Sequence, residues 1–177
     1  MIYLGNLVKS LYNKSMSKQA QRPDWDNYFI GIMSMVGKRG TCDRGQVGCI
    51  LVKDNHILST GYAGAPKGIK HCDDVGHEMN TVIHPDGHES QHCVRTVHAE
   101  QNAIVSAARL GIAIDQATLY CNMTPCYICA KLIINAGIKR VVAVRDYHAA
   151  ARSKEIFAEA GIQYELRDES VELYDNQ

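Results

Sequence analysis

Two cysteines three positions apart, Cys126 and Cys129, directly follow a proline in the segment TPCYIC. Cysteines at this spacing are typical of a redox pair, of a closed structural zinc site or of part of a catalytic zinc site. The segment HAE favours the catalytic site, because His98 offers a third ligand and Glu100 a carboxyl group beside it. Three protein ligands leave the fourth position of a tetrahedral zinc ion for water, whereas structural zinc sites use four.

The chemistry of such a site accounts for each residue type. Zinc can lower the pKa of a bound water molecule to ~7, which gives hydroxide at neutral pH. Glu100 can then take up and return the proton. His98 and the two cysteines fall at the predicted starts of two helices, where the partial positive charge of a helix N-terminus favours the thiolate form.

The hydrophobic pattern predicts the elements that must position these residues. Apolar residues at helical spacing, with Asp24 and Thr124 as N-caps, predict helices over 25–38, 98–111, 125–137 and 153–161. Apolar β-rich runs predict strands over 47–53, 57–62, 117–123, 139–144 and 162–167. Cys49 and Cys121 lie inside two of these strands and are predicted to be small buried hydrophobes. The order of elements predicts a three-layer α/β/α fold with a central five-stranded mixed sheet.

Composition and charge narrow the class of protein. The 177 residues, 46% hydrophobic and 21% charged, are typical of a single globular domain over 1–177, with an N-terminal arm or short helix at 1–23. Lys and Arg number 19 against 19 Asp and Glu, so no overall positive field attracts polymeric nucleic acid. No apolar run approaches the ~20 residues that span a bilayer, and no signal-peptide pattern is present. We therefore expect a cytoplasmic protein with no membrane partner.

Residues 63–97 form a Cys/His-rich insertion that interrupts the hydrophobic pattern. The insertion contains two prolines, four glycines, two cysteines and five histidines, and it is far longer than an ordinary connection. A closed zinc site would fix such a polar segment, which cannot build its own core. The predicted ligands of this second, structural zinc ion are Cys42, Cys72, His77 and Cys93. His71, His88 or His92 could replace one of them, and free cysteines with surface histidines are the alternative.

Together, HAE and PCYIC match the signature H-x-E with P-C-x-x-C of zinc-dependent nucleobase deaminases. The segments CDRGQVGCILVKDNHILSTGYAGAPKG, CVRTVHAEQNAI and PCYICAKLIINAGIKRVV resemble the deoxycytidylate (dCMP) deaminase family, over roughly residues 25–167. The resemblance implies a cytidine deaminase-like fold and hydrolysis of dCMP to dUMP and ammonia, which supplies dUMP for thymidylate synthesis. In that reaction, zinc-bound hydroxide attacks C4 of cytosine while Glu100 protonates N3 and then the leaving amine.

Other functions remain open at this point. A tRNA adenosine deaminase-like enzyme shares the zinc signature, but it would normally lack this insertion and have a more basic surface. A zinc-stabilised interaction module without chemistry would not need Glu100. dCTP is a candidate additional substrate, since it differs from dCMP only in the length of its anionic tail. The chain also reads GYAG where the family commonly reads GYNG, so Ala63 lacks a side-chain amide that could contact a nucleotide.

Recognition of the nucleotide requires a cation for its phosphate. The loop KRGTCDRGQ, which by resemblance faces the nucleotide, supplies Arg39 and Arg44, and the rigid donor fork of arginine suits phosphate. Tyr120 and Tyr147 lie in or at the end of predicted strands and are candidates to line the sugar and base. Exposed loop arginines and core or surface tyrosines are the corresponding alternatives.

The resemblance also implies a homo-oligomer, of hexameric size, with a second nucleotide site between subunits. There dCTP would activate the enzyme and dTTP would inhibit it, with Mg²⁺ as a further partner. The candidate contacts come from the glycine-rich loop after the second strand and from the helix that carries Glu100; they are Gly64, Ala65, Lys67, Asn102 and Arg109. Ordinary turn and helix-dipole roles remain the alternative for these residues.

Overall fold

The computed structural model describes residues 22–83, 89–169 and 171–172. Residues 1–21 of the predicted arm lie outside the described residues. His88, an alternative ligand of the second zinc ion, also lies outside them. The described residues form five helices and eight strands. In chain order these are α1 (Trp25–Gly37), β1 (Gly48–Lys53), β2 (His56–Tyr62), α2 (Cys72–Val75), β3 (Met79–Ile83), β4 (Glu89–Cys93), α3 (Ala99–Leu110), β5 (Thr118–Met123), α4 (Tyr127–Asn135), β6 (Arg140–Tyr147), α5 (Ala151–Glu159), β7 (Gln163–Leu166) and β8 (Val171–Glu172). None of these helices is long and apolar enough to cross a membrane.

The central sheet has the strand order β2-β1-β5-β6-β7. β1 runs antiparallel to both β2 and β5, whereas β5, β6 and β7 run parallel to one another. The five-stranded mixed sheet expected from the sequence is therefore confirmed. One short strand beside this sheet was not predicted: β8 pairs in parallel with the end of β6.

Helices cover both faces of this sheet. α1 packs on one face, where Phe29 and Met33 lie in a buried core with Ile50. α3, α4 and α5 pack on the other face, where Ala103, Ile133 and Phe157 contribute to a larger buried core. The three-layer α/β/α arrangement is thus confirmed. Cys49 and Cys121 are both fully buried in the larger core, as predicted.

The ends of α1 and of the first hairpin follow local sequence signals. The Asp24 carboxylate accepts a hydrogen bond from the backbone N–H of Asn27 at 2.8 Å, which is the predicted N-cap of α1. β1 and β2 are joined by a two-residue turn in which Asp54 and Asn55 have φ angles of 50° and 61°. These two residue types tolerate left-handed backbone, as tight hairpin turns require.

Close backbone packing sets the position of α3 on the sheet. A Cβ atom at Gly61 in β2 would overlap the carbonyl oxygen of Ala99 and the backbone nitrogen of Ala103. The hydroxyl of Ser59 donates a hydrogen bond to the Ala103 carbonyl oxygen at 2.8 Å. β2 therefore fixes the height of α3 above the sheet, because no side chain separates the two backbones at Gly61.

The insertion contains more regular structure than its sequence indicated. β3 and β4 form a two-stranded antiparallel sheet of their own, apart from the central sheet, and α2 is a single helical turn. All five side chains of β3 are exposed. The strand thus has no buried face, and an alternation of apolar and polar residues could not reveal it.

A group of charged side chains joins α1 to β6 and β7. Arg140 donates hydrogen bonds of 2.8 Å to Asp26 and of 2.8 Å to Glu165, and Arg167 also pairs with Asp26. The hydrogen bonds from Arg140 hold the pKa of both carboxyls below their usual range, although burial opposes this effect. Asp26 and Arg140 are 114 positions apart, so no local pattern could have indicated their pairing.

Candidate active site

His98, Cys126 and Cys129 meet in space and are called the first cluster. The Nδ1 atom of His98 lies 3.5 Å from Cys126 Sγ and 3.4 Å from Cys129 Sγ. A tetrahedral zinc ion, with Zn–S of about 2.3 Å and Zn–N of about 2.0 Å, separates sulfur and nitrogen ligands by about 3.5 Å. The three ligand atoms are therefore spaced as a shared zinc ion requires.

The starts of two helices bring these ligands together. His98 is the N-cap of α3, and Cys126 is the N-cap of α4. The prediction that Thr124 caps α4 is wrong, since that helix begins two residues later than expected. The Thr124 hydroxyl instead donates a hydrogen bond to Asp146 Oδ1 at 2.7 Å, so it fastens the loop before the helix to β6.

Protons are distributed unevenly over the first cluster. Hydrogen bonds from Cys129 and then from His98 lower the pKa of the Cys126 thiol to about 4. The bond to Cys126 raises the pKa of His98 to about 9, although burial opposes this. The hydrogen bond between the thiol groups of Cys126 and Cys129 raises the pKa of Cys129. A thiolate at Cys126 is thus favoured, and zinc binding must release the remaining protons, since zinc takes neutral imidazole and thiolate.

Glu100 lies in the first turn of α3, beside the first cluster, and only 5% of it is exposed. Burial raises the pKa of its carboxyl group, whereas the positive charge of His98 acts in the opposite direction. The carboxyl group nonetheless lines the same cavity as His98 and Cys126. Burial thus favours the protonated form of Glu100, which can present its proton to a molecule in the cavity.

The cavity next to the first cluster has a volume of about 150 Å³. Two groups of residues line it. One group belongs to the first cluster and its surroundings: His98, Ala99, Glu100, Met123, Thr124, Cys126 and Tyr147. The other comes from the loop after α1, the end of β2 and the insertion: Cys42, Arg44, Gly45, Val47, Ala63, His92, Cys93 and Thr96.

The structure places only part of the predicted substrate set at this cavity. Arg44 and Tyr147 line it, and so does Ala63, the residue at which the GYAG loop departs from the family pattern. Arg39 is exposed and is not among the residues that line it.

Tyr120 requires a correction, because the structure places it on the other face of the sheet. Its neighbours Leu119 and Cys121 point into the larger core, so strand alternation turns Tyr120 toward α1. There its hydroxyl donates to Asp26 at 2.7 Å. The core role left open for this tyrosine is the one observed.

Cys42, Cys72, His77 and Cys93 also meet and are called the second cluster. Cys42 Sγ lies 3.6 Å from His77 Nδ1, and Cys72 Sγ lies 3.6 Å from Cys93 Sγ. The sulfur separation is far beyond a disulfide bond of about 2.05 Å, and it approaches the separation of about 3.8 Å between two sulfur ligands of tetrahedral zinc. Three cysteines and one histidine thus fit a closed four-ligand zinc site.

The alternative histidines have other partners or lie elsewhere. His71 Nδ1 is 2.8 Å from the Thr41 hydroxyl, and His92 Nε2 is 2.8 Å from the Ser90 hydroxyl. Neither histidine belongs to the second cluster. Burial opposes ionisation of the Cys93 thiol, but backbone N–H donors of the insertion, with His77 and Cys72, lower its pKa to about 6.

The residues predicted for regulation lie at the end of β2 and along α3. Gly64 forms a backbone bridge with Val97, and the Asn102 side-chain amide donates to the Tyr62 carbonyl oxygen at 2.8 Å. Ala65 is half-buried, whereas Lys67 and Arg109 are exposed. Asn102 thus joins α3 to the end of β2, and nucleotide contacts by these residues stay a prediction.

Asp146 supports the site but was not found from the sequence. Its Oδ1 atom accepts hydrogen bonds from the Thr124 hydroxyl at 2.7 Å and from the Tyr147 backbone N–H at 2.9 Å. Its Oδ2 atom accepts one from Lys154 at 2.6 Å. Asp146 therefore fixes both the loop before Cys126 and the tyrosine that lines the cavity. Its place at the end of a strand is the only sequence signal it offers.

Comparison with known proteins places the chain in a family. Residues 23–145 match the family described as "Cytidine and deoxycytidylate deaminase zinc-binding region". The chain belongs to this family of cytidine and deoxycytidylate deaminases. The family description names zinc, in agreement with the donor sets of the two Cys/His clusters.

Individual relatives narrow the likeness further. The chain is 36% identical to "ComE operon protein 2" of Bacillus subtilis, over 86% of this chain and 78% of that protein. It is 40% identical to the deoxycytidylate deaminase of Mycobacterium phage D29, over 71% of this chain and 98% of the relative. Among solved structures, the dCMP deaminase of cyanophage S-TIM5 in complex with dCMP and dUMP is 28% identical, with a TM-score of 0.66, and the match covers 82% of this chain and 98% of that one.

Proposed function

We propose that this chain catalyses the hydrolytic deamination of dCMP to dUMP with release of ammonia. The observation that carries this proposal is a single cavity lined by Glu100, by Arg44 and by His98 and Cys126 of the first cluster. A cation, a buried carboxyl group and a three-ligand zinc site are the parts that deamination of a phosphorylated cytosine nucleoside requires. Membership of the family and the likeness to the cyanophage enzyme support the same substrate.

The first cluster would hold the catalytic zinc ion through His98, Cys126 and Cys129. Zinc bound there supplies chemistry by lowering the pKa of a water molecule, so that a nucleophile is available at neutral pH. Every proton transfer then falls to Glu100, the carboxyl group beside the cluster.

Glu100 moves two protons in the proposed reaction. Its buried carboxyl donates a proton to N3 of cytosine as the oxygen of water adds to C4, and it takes up a proton from that water. Glu100 then passes that proton to the amino group, the C4–N bond breaks and ammonia leaves, and Glu100 takes up the second proton of the water from the oxygen now bound to C4. The net change is one water molecule consumed, one ammonia released and Glu100 restored.

Two further residues orient the nucleotide in this proposal. The guanidinium group of Arg44 would bind the 5′-phosphate through its donor fork. Tyr147, at the end of β6, lines the cavity and would contact the base or sugar. Ala63 also lines the cavity and lacks the side-chain amide of the common GYNG pattern, so it bears on whether dCTP is also accepted.

A substrate panel tests the proposed reaction. Purified protein with its zinc is incubated with cytidine, CMP, dCMP, dCTP or tRNA, and ammonia release is measured. We expect turnover to be fastest with dCMP. Deamination of tRNA without deamination of dCMP would instead support the adenosine deaminase alternative. No release from any substrate at full zinc content would support a non-catalytic interaction module.

A second zinc ion in the second cluster is part of this proposal. Its four donors leave no open position for a substrate, so its role is structural. Metal analysis of the purified protein should give two zinc ions per chain, and one ion per chain would contradict the second site.

Regulation by dCTP and dTTP, with Mg²⁺, in a homohexamer completes the proposal. The exposed side chains of Lys67 and Arg109 are available to a triphosphate. Light scattering after gel filtration measures the oligomer. Kinetics should show a dCMP saturation curve that becomes less sigmoidal with dCTP and is suppressed by dTTP. Arg109→Ala should weaken both responses without changing zinc content, and unchanged responses would place the regulatory site elsewhere.

A further inference from the structure

The second cluster and the cavity share residues. Cys42 and Cys93 belong to the second cluster, and both also line the cavity that contains Glu100. Arg44 follows the first of these cysteines by two positions and lines the same cavity. The part of the wall that carries the arginine is therefore built from chain segments that the second cluster ties together.

Arg44 connects the loop after α1 to the insertion. It stands two positions after Cys42, a member of the second cluster. Its side-chain Nη2 donates a hydrogen bond to the carbonyl oxygen of Gln91 in β4 at 3.0 Å. Gln91 lies two positions before Cys93, which also belongs to the second cluster. The direction in which Arg44 points thus depends on how the loop after α1 and the insertion are held together.

Hydrophobic packing contributes little to the position of the part of the cavity wall that carries Arg44. No residue of β3 or β4 belongs to either buried core described above. Every side chain of β3 is exposed. Polar contacts join the insertion to the loop after α1 instead. They are the second cluster, the backbone hydrogen bonds of Ala63 with Thr41 and Val47, and the side-chain contacts Thr41–His71, Asp43–His77 and Arg44–Gln91.

We propose that the ion held by the second cluster positions Arg44 and thereby sets the affinity of the cavity for the phosphate of its nucleotide. This inference rests on the proposed function, because it assigns the phosphate of dCMP to Arg44. It gives the second cluster a role in substrate binding in addition to its role in stability. Loss of that ion alone should weaken nucleotide binding and leave the chemistry at Glu100 unchanged.

A substitution at Asp43 should lower the affinity of the second cluster for its ion without changing a residue that lines the cavity. His77 turns Nδ1 toward Cys42, and its Nε2 atom lies 2.9 Å from Asp43 Oδ1. A histidine ligand usually donates its other N–H group to a carboxylate, and loss of that partner typically costs about 10- to 100-fold in metal affinity. Asp43 does not line the cavity. It is therefore a positioning residue for His77.

The experiment compares Asp43→Ala with Asp73→Ala, which removes the same charge from an exposed residue of the insertion that does not contact His77. Zinc release to a chelator is followed first. Steady-state kinetics with dCMP are then measured on protein that has kept only one zinc ion. Arg44→Ala is measured with one and with two zinc ions, which completes a double-mutant cycle.

We expect Asp43→Ala to release one of its two zinc ions about 10- to 100-fold more readily than the Asp73→Ala control. In the one-zinc protein, the KM for dCMP should rise about 10- to 100-fold, as for a lost charge-assisted hydrogen bond, with kcat changed less than about twofold. In Arg44→Ala, removal of the second ion should raise KM no further, because Arg44 is the route through which the ion acts.

Three results would overturn the inference. They are an unchanged KM in the one-zinc protein, a kcat that falls in parallel with the rise in KM, and a further rise in KM when Arg44→Ala loses the second ion. If Asp43→Ala retains both ions as firmly as the control does, the role of Asp43 is wrong, and His77→Ala supplies the one-zinc protein for the same kinetics. Absence of dCMP turnover in the unaltered protein would refute the proposed function instead.

Discussion

The two Cys/His clusters use the same kinds of ligand, but the protein supports them in different ways. The first cluster lies at the starts of α3 and α4, and both helices pack into the larger core, through Ala103 and Ile133 among others. The second cluster joins a loop to an insertion whose strands have no share in either core. We therefore propose that the fold would position an ion at the first cluster, whereas an ion at the second cluster would position the chain around it.

Glu100→Gln tests whether the first cluster is independent of the chemistry beside it. We expect kcat with dCMP to fall by about 10²- to 10⁴-fold, because the amide cannot transfer protons. Zinc content and melting temperature should stay unchanged, since the core holds α3. Glu155→Gln, at an exposed position of α5, is the matched control and should have no effect. Loss of zinc from Glu100→Gln would mean that this cluster is not held by the fold.

Cys72→Ser should loosen the insertion, because it removes one of the four side chains through which the second cluster joins the insertion to the loop after α1. Limited proteolysis should cut within 63–97 at least about tenfold faster than in the unaltered protein, since cleavage follows the local opening equilibrium. Cys129→Ser removes a ligand from the first cluster and should abolish turnover without faster cleavage of the insertion. Equal protection of the insertion in both variants would remove the contrast between the two clusters.

Gly61→Ala tests how closely the sheet controls the first cluster. The added methyl group would meet the backbone of α3 at Ala99 and Ala103, so we expect a loss of about 1–3 kcal/mol in the free energy of unfolding. Turnover should also fall, because His98 and Glu100 move with that helix. Release of zinc from the second cluster should not change.

Gly31→Ala provides the control for this substitution, since nothing lies within 4 Å of a Cβ atom at Gly31 in α1. It should stabilise the protein by about 0.5–1 kcal/mol, as alanine is the better helix former. Thermal unfolding measures both variants, and a shift of the same sign in both would contradict the packing described for α3.

The smallest expected change in stability concerns the charged side chains that join α1 to β6 and β7, which do not belong to either cluster. Hydrogen bonds from Arg140 hold the pKa of Glu165 below its usual range in the folded protein. Its stabilising contribution is therefore complete above the unfolded pKa of about 4.3 and is lost as the pH falls through the lower folded value. Glu165→Gln should cost about 1 kcal/mol at pH 7, since the pair is partly exposed.

The difference between Glu165→Gln and the unaltered protein should shrink as the solution becomes more acidic. Urea unfolding at several pH values measures it. A difference that grows toward low pH would contradict the sign of the pKa shift.

Much of the fold could be predicted from the sequence, because the patterns that indicate its helices and turns involve residues that are close together in the chain. The N-cap of α1 at Asp24, the turn at Asp54 and Asn55, and the alanine-rich helix after HAE each depend on neighbouring residues. The four ligands of the second cluster were grouped correctly in space, since the insertion has few other residues that could hold it together. Whether each cluster binds its own zinc ion stays a prediction.

The features that were missed depend on the direction in which a side chain points or on contacts between residues that are far apart in the sequence. Tyr120 was a candidate to line the sugar and base, with a core role left open, and its side chain points to the opposite face of the sheet. Finding that face required counting alternation from the buried neighbours Leu119 and Cys121. β3 was missed because all its side chains meet solvent. Asp146 gathers donors from three elements, and no pattern within a single segment shows such a convergence.

The order of the ligands along the chain sets the order in which the two clusters can be completed. All four ligands of the second cluster lie between positions 42 and 93, and the three of the first lie between 98 and 129. The two loops that metal binding closes are thus consecutive, and neither is threaded through the other. During synthesis, the N-terminal part of the chain leaves the ribosome first. The last residue of the second cluster, Cys93, therefore emerges before the first residue of the other cluster, His98.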